Sequence, residues 1–361
     1  MLSTLDRYIV RSFLVNYGIA VSVLIAMYVV LDLFVNFDEF TEAGLPAAQV
    51  IRNLGSYYGY NLFLYFSQIA GVITLFAAAC TLARMRRSNE LTAVLASGTS
   101  LYRVAVPVLI SGILMNLLLI ADQEWIIPRI AHKLARTHDD VEGRRTRDVW
   151  LVPDRNGARL SAIRFNHNQQ LITRLIITRD QPRTGLTEII RADRAHYAGA
   201  DGRWELDRGT RLRRSGDGDA MAVGGMPEAV DVYESDLTPD DLLLRQSSQW
   251  ITLLNMRELD RLAGQPGQRI EPILQVKHKR FTLPFVNMLL LLLGVPFFLN
   301  REPSNVLVSG GLCMLICGLC FVTAFVSQNL IDYPAYPALP AWLPILIFGP
   351  VAVLFLDSVK T

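Results

Sequence analysis

Residues 281–299 read Phe-Thr-Leu-Pro-Phe-Val-Asn-Met-Leu-Leu-Leu-Leu-Leu-Gly-Val-Pro-Phe-Phe-Leu, a run with no charged side chain. A helix crosses the hydrocarbon core of a bilayer with about 20 apolar residues, so this stretch is long enough to span. Working outward from it, comparable windows fall at roughly 12–36, 56–83, 104–121, 305–330 and 338–356. Hydrophobic residues make up 51% of the 361-residue chain, which agrees with a membrane class. Between the third and fourth windows the composition changes. Residues 124–275 hold most of the charged residues and contain no window that could span, so they predict a soluble domain.

Arg7 and Arg11 precede the first apolar run in the manner of a secretory signal. That run is longer than the 7 to 15 residues, roughly, of a cleaved signal core, and the segment is expected to be retained as a span. The net charge of +2, with no basic stretch interleaved with aromatics, argues against a nucleic-acid partner.

Lys and Arg in short loops orient a membrane chain. The loop at 36–56 carries Asp38, Glu39 and Glu42 against Arg52 and is expected outside. The next carries Arg84, Arg86, Arg87 and Arg103 against Glu90 and is expected in the cytoplasm. Both chain ends then lie inside, and the 124–275 domain lies on the extracytoplasmic side. Lys277, Lys279 and Arg280 dissent, because they sit just outside the fourth span.

From Val149 to Tyr233 short alternating runs punctuated by turn residues predict half-buried strands. Asn156-Gly157 and Asp201-Gly202 accept positive φ and close hairpins, one of them running from Ala195 to Arg208 with Tyr197 and Trp204 on its arms. Strands at this spacing suggest a sandwich or roll. The segment Arg-Arg-Ser-Gly-Asp-Gly-Asp at 213–219 reads as a loop tip. Residues 238–264, opening Thr-Pro-Asp-Asp, predict a capped helix or pair of helices.

No GxxxxGK[ST] occurs, so the chain has no phosphate-cradling loop of its own, and ATP-derived energy would have to come from a partner. Cys313, Cys317 and Cys320 share one helix face, but their apolar surroundings favour small packing residues over cluster ligands. With Cys80 also in a span, none is placed for an outer disulfide. The five His residues form no HExxH and no pair at metal spacing. No catalytic or metal-binding residue is assigned.

The informative segment is 84–103. Ser88 is expected to cap a helix with Glu90 in its first turn, where negative charge suits the helix dipole. Leu91, Val94 and Leu95 form an apolar stripe at helical spacing, and Gly98 ends the helix. Such a helix is either a membrane-surface connector or a knob for a groove on a cytoplasmic protein. Asn116 and Asn287 are expected to hydrogen-bond between helices.

These features together resemble the LptF/LptG (YjgP/YjgQ) family of lipopolysaccharide export permeases. The likeness rests on Leu-Asp-Arg-Tyr-Ile at 5–9, Ser-Asn-Glu-Leu followed by Ala-Ser-Gly within 88–98, and Arg-Phe-Thr-Leu-Pro at 280–284. The first of these leans toward the LptG side. The resemblance implies three domains: spans 1–3 in 1–123, an extracytoplasmic all-β jelly-roll-like domain inserted in 124–275, and spans 4–6 in 276–361. It implies that the loop helix is a coupling helix, with Arg87, Glu90, Leu91, Val94, Leu95, Ser97 and Gly98 at the ATPase. It implies lateral gates at Leu31 and Phe34 on the first span and at Phe321 and Phe325 on the fifth. Lys277, Lys279 and Arg280 would meet lipid headgroup phosphates, the alternative being snorkelling beside ordinary lipid, and Asp32 near the outer end of the first span is a lesser candidate for the headgroup site.

The implied partners are a cytoplasmic LptB-like ATPase dimer that binds the ATP and Mg, a second LptF/LptG-type permease, LptC-like and LptA-like periplasmic jelly-roll proteins, and lipopolysaccharide. The chain itself needs no cofactor, and its expected place is the bacterial inner membrane. Two other readings compete. A mechanotransmitting ABC subunit usually carries its large outer domain after the first span, whereas three spans come first here. A lipid-modifying membrane enzyme would need clustered acid, base or nucleophile residues, and only scattered carboxylates are found.

Overall fold

The apolar windows become helices because a backbone inside hydrocarbon has to satisfy its own hydrogen bonds. The structure is a computed structural model that describes residues 4–41, 46–135, 147–154, 157–181, 186–199, 202–215, 227–246, 250–264, 270–299, 306–329 and 336–358. Among these, six helices are long and apolar enough to cross a membrane. They lie in α1 (Thr4–Thr41), α2 (Ala47–Arg87), α4 (Leu101–Ala121) continued through a π turn (Asp122–Ile126) into α5 (Ile127–Leu134), α9 (Ile270–Phe298), α10 (Val306–Asn329) and α11 (Leu339–Ser358). A short helix, α3 (Glu90–Ala96), joins α2 to α4. Several helices run past their apolar windows, because the polar flanks keep helical geometry where charge no longer matters to the bilayer. α1 carries a non-helical residue, Asn36, near its end.

Packing divides the chain into two units, one of residues 1–35, 61–127 and 270–361 and the other of 36–60 and 128–269. The core of the helical unit is built from Ile9 and Phe13 of α1, Ile73, Ala77 and Leu82 of α2, Val104 and Val108 of α4, and Leu290, Leu291 and Leu293 of α9. Small residues let the helices approach. Gly71 of α2 sits against the Asn287 side chain, and Gly112 of α4 against Leu291. Asn287 Nδ2 donates to Asn116 Oδ1 at 3.2 Å, the expected interhelical bond. Cys313, Cys317 and Cys320 are buried in the same core, the first two against Gly294.

The second unit carries one antiparallel sheet of eight strands: β1 (Arg147–Pro153), β2 (Ala158–Asn166), β3 (Leu171–Gln181), β4 (Leu186–Tyr197), β5 (Arg203–Asp207), β6 (Thr210–Ser215), β7 (Glu228–Ala229) and β8 (Val232–Glu234). The order is β1-β2-β3-β4-β5-β8, and the sheet forks at β4. Residues 194–197 of β4 pair with β5, residues 186–191 pair with β6, and β6 pairs with β7. Inward rows run across β2, β3 and β4 as Leu160–Ile177–Ile190, Ala162–Leu175–Ala192 and Phe165–Ile172–Ala195. Successive rows are two residues apart between the first and second but three between the second and third, in all three strands at once. Arg174, with φ of 56°, sits at the break. The facing phase resets there while pairing register is kept, so all three strands bend on one line.

The Ala195–Arg208 hairpin forms as expected, with Tyr197 opposite Trp204 and their ring centroids 5.2 Å apart. Gly202 has φ of 64°, and a Cβ there would come within 2.9 Å of the Ser235 carbonyl. Asn156, Asp201 and positions 216–219 of the expected loop tip lie outside the described residues, whereas Arg213–Ser215 continue β6. Residues 238–264 contain three helices: α6 (Pro239–Gln246), α7 (Trp250–Leu253) and α8 (Met256–Ala263). Reciprocal caps start α6, between Thr238 and Asp241, and α8, between Asn255 and Glu258.

Asp154, beyond β1, ties the sheet end together. It accepts from Tyr233 Oη at 2.9 Å, Ser235 Oγ at 2.7 Å and the Asp236 amide at 3.1 Å. Burial and the Asp154 charge push the Tyr233 phenol well above its ordinary range. Arg245 of α6 donates to the Pro153 carbonyl at 2.6 Å, and burial lowers its pKa from the usual arginine range.

Candidate functional site

Ser88 does not cap the loop helix. Its amide still bonds to the Arg84 carbonyl at 3.0 Å, so it completes the last turn of α2. The chain reverses instead at Asn89, which precedes α3 with φ of 57°, a left-handed conformation that Asn tolerates. Ser88 Oγ, freed from capping, has two acceptors in reach for its one proton, the Arg84 carbonyl at 2.8 Å and Glu90 Oε1 at 2.9 Å. The other carboxylate oxygen accepts from Tyr8 Oη at 2.8 Å, and Arg84 in turn donates to that phenol at 3.4 Å. Asp6 pairs with Arg103 at 3.7 Å on the far side of the loop.

The Leu-Asp-Arg-Tyr-Ile segment of α1 therefore clasps both ends of the 84–103 segment, with Ile9 buried between. Sequence reading marked both stretches as distinctive but did not foresee that they meet. A tyrosine and an acid 82 positions apart carry no local signal.

The apolar stripe of α3 points inward. Leu91 is 4% exposed in the helical core, and Val94 and Leu95 pack partly against it. Thr92, Ala93, Ala96, Ser97 and Gly98 form the exposed side, with Arg87 exposed at the end of α2. Gly98 has φ of 81° and ends the helix as expected, while Ser97 Oγ donates to the Val94 carbonyl at 2.7 Å.

At the opposite end of the spans the three basic residues have separate surroundings. Arg280 is largely buried, its guanidinium 3.3 Å from Glu124 of the π turn. Lys279 Nζ donates to Asn329 Oδ1 of α10 at 2.8 Å. Lys277 is half-buried and engaged as well. Asp32 accepts from Tyr65 Oη at 3.4 Å beside the Tyr28 and Tyr65 rings, whose centroids are 4.3 Å apart.

Two residues here were missed by sequence. Glu124 is one, and Asp122 is the other: it is 2% exposed and neither carboxyl oxygen has a hydrogen-bond partner among the described residues. A π turn in a membrane helix and an ionisable residue at its start are each marks of a site under functional constraint. Gln123 Nε2 donates to Ser67 Oγ of α2 at 2.8 Å and anchors the turn. The proposed gate residues lie on outward faces: Leu31 and Phe34 of α1 and Phe325 of α10 are exposed, Phe34 to 86%, while Phe321 is half-buried against the core. Only 11% of the apolar window of α1 is buried.

Six spans with a β domain inserted between the third and fourth, and a loop helix clasped by the first span, define a multi-pass membrane protein with an inserted β domain. The family model for the lipopolysaccharide export system permease LptF/LptG matches residues 7–357, nearly the whole chain, and the chain belongs to that family. No individual curated protein matches it. Membership implies a place in a lipopolysaccharide transport complex with other Lpt proteins, and with six spans it fits an inner-membrane location.

Proposed function

We propose that the chain is the permease subunit of an ABC-type complex that extracts lipopolysaccharide from the inner membrane and passes it to a periplasmic bridge, using ATP hydrolysed by a separate LptB-like dimer. The observation that carries this reading is the clasp between α3 and α1. A cytoplasmic ATPase pressing on the exposed side of α3, with Glu90 and Arg87 at its rim, would move a helix whose carboxylate is bonded to Tyr8. The first span would then shift with it. The rest of the chain leaves most of the apolar window of that span uncovered, so Leu31 and Phe34, with Phe325 of α10, are suited to a lateral gate.

In this scheme the loop at 84–103 is cytoplasmic, as its arginines favour, and the β unit is periplasmic. There it would meet LptC-like and LptA-like partners, while a second LptF/LptG-type chain would complete the passage. Lys277 and Lys279 are the nearest candidates for headgroup phosphate, since Arg280 is committed to Glu124.

Glu90→Arg tests the docking step. The variant is expected to insert normally and keep its β unit folded, yet to lose co-purification of the ATPase and the lipopolysaccharide dependence of ATP hydrolysis. A variant that assembled and coupled like the parent would remove the docking role from α3.

A further inference from the structure

The outward face of the β sheet is strongly cationic. Pairing register places Arg159, Thr178 and Ile189 in one outward row across β2, β3 and β4, Ser161, Ile176 and Arg191 in the next, and Arg164, Thr173 and Arg194 in a third. The extra residue at the line of bending adds Arg174 on the same side. All five arginines are exposed, and among the described residues none has a carboxylate partner. Acids share this face, Asp148 on β1 and Glu205 and Asp207 on β5, with Asp207 opposite Arg194, while Asp193 is paired with Arg208 at 2.9 Å, so the arginines outnumber them.

Apolar side chains are interleaved with the charge. Ile163 and Ile176 are exposed on this face, and on β1 Trp150 and Leu151 fall between the inward-facing Val149 and Val152, Trp150 at 73% exposure. Nothing in the helical unit's mechanism uses this surface.

We propose that this face docks on an anionic phospholipid surface. Guanidinium forks match phosphate oxygens in pairs, which lysines do not, and the face is built from arginine. The five charges are spread over three strands as an array, so they suit a field of phosphates better than one small anion. Exposed Trp, Leu and Ile among arginines are the composition of a surface that sits at a membrane interface, the apolar parts entering the headgroup zone and the cations staying with phosphate. The β unit is joined at both ends to membrane-spanning segments, α5 and α9, and so stays within reach of a bilayer.

The test uses the full chain in phosphatidylcholine nanodiscs, mixed with separate vesicles of phosphatidylcholine either pure or containing phosphatidylglycerol, with flotation as the readout. Binding is expected only to the phosphatidylglycerol vesicles and should weaken as salt is raised. Replacing Arg159, Arg164, Arg174, Arg191 and Arg194 together by Gln should cut vesicle binding by at least about tenfold, whereas the matching five Lys substitutions, which keep the charge and lose the paired bonds, should fall between the parent and the Gln variant. The Lys set guards against misfolding as the cause, as does an unchanged melting temperature. Equal binding by the Gln variant would overturn the proposal. So would retention of polyglutamate but not of the vesicles, or loss of vesicle binding to millimolar inorganic phosphate at constant ionic strength.

Discussion

Tyr8 and Glu90 show how two residues without local relation become one device. The phenol donates to the carboxylate, with the Ser88 hydroxyl beside it, so the acid is oriented before any partner arrives. A hydrogen bond of this kind contributes about 1 kcal/mol, which is about fivefold in an equilibrium. Tyr8→Phe is therefore expected to lower lipopolysaccharide-dependent ATP hydrolysis in the assembled complex by that factor while leaving insertion and assembly intact. An unaltered coupling ratio would show that the clasp does not transmit. Asp122 presents the opposite case, a buried carboxyl with no bonded partner. Replacing such a group by an apolar one of similar size removes a desolvation cost of about 1–3 kcal/mol. Asp122→Leu should raise the melting temperature in detergent and, if the acid serves transport, depress transport at the same time. A lower melting temperature would mean that the carboxyl is stabilised where it lies.

Among the elements, the α2, α4 and α9 contact depends on Gly71, because a methyl group there would collide with the Asn287 side chain. Gly71→Ala is expected to cost about 1 kcal/mol by displacing the Asn287–Asn116 bond. The effect should shrink in an Asn287→Leu background, and strict additivity in thermal melts would separate the two residues. The sheet offers a pH test through Tyr233. Its folded pKa is raised, so the folded state keeps a proton that the unfolded chain releases. Stability is then complete below the ordinary tyrosine pKa and is lost as pH climbs above it. A Tyr233→Phe chain should show a shallower alkaline decline than the parent, measured by the melting of the sheet signal.

The helices and the inserted domain were legible in the sequence because charge-free length and period-2 alternation are local signals. The bend at Arg174 was not, since it breaks that alternation in three strands and is visible only once register is known. The loop helix was legible as an element, but the sequence did not show that Leu91 of its apolar stripe is buried in the helical core of the same chain, with Val94 and Leu95 packed partly against it. The Arg280–Glu124 pair was hidden because 156 residues separate the two charges and no local pattern links them.

At the scale of the whole molecule, the proposal requires one arrangement across the bilayer, with α3 on the ATPase side and the sheet on the other. The arginines at 84, 86, 87 and 103 favour that sense, and an odd number of spans between α3's loop and the inserted domain puts them on opposite faces, since only α4 with its continuation lies between. The claim can be separated from every statement about mechanism by labelling. Thr92 on α3 and Glu205 on β5 are both exposed, so a cysteine at either can react without unfolding; of the native thiols, those at 313, 317 and 320 are buried and Cys80 is half-buried in α2. In intact spheroplasts an impermeant maleimide should modify Glu205→Cys readily and Thr92→Cys only after lysis, each compared with the parent chain. The reverse pattern would place the Arg-rich loop outside, leave no cytoplasmic ATPase access to Glu90, and transfer the search for the energy source to the opposite face of the protein.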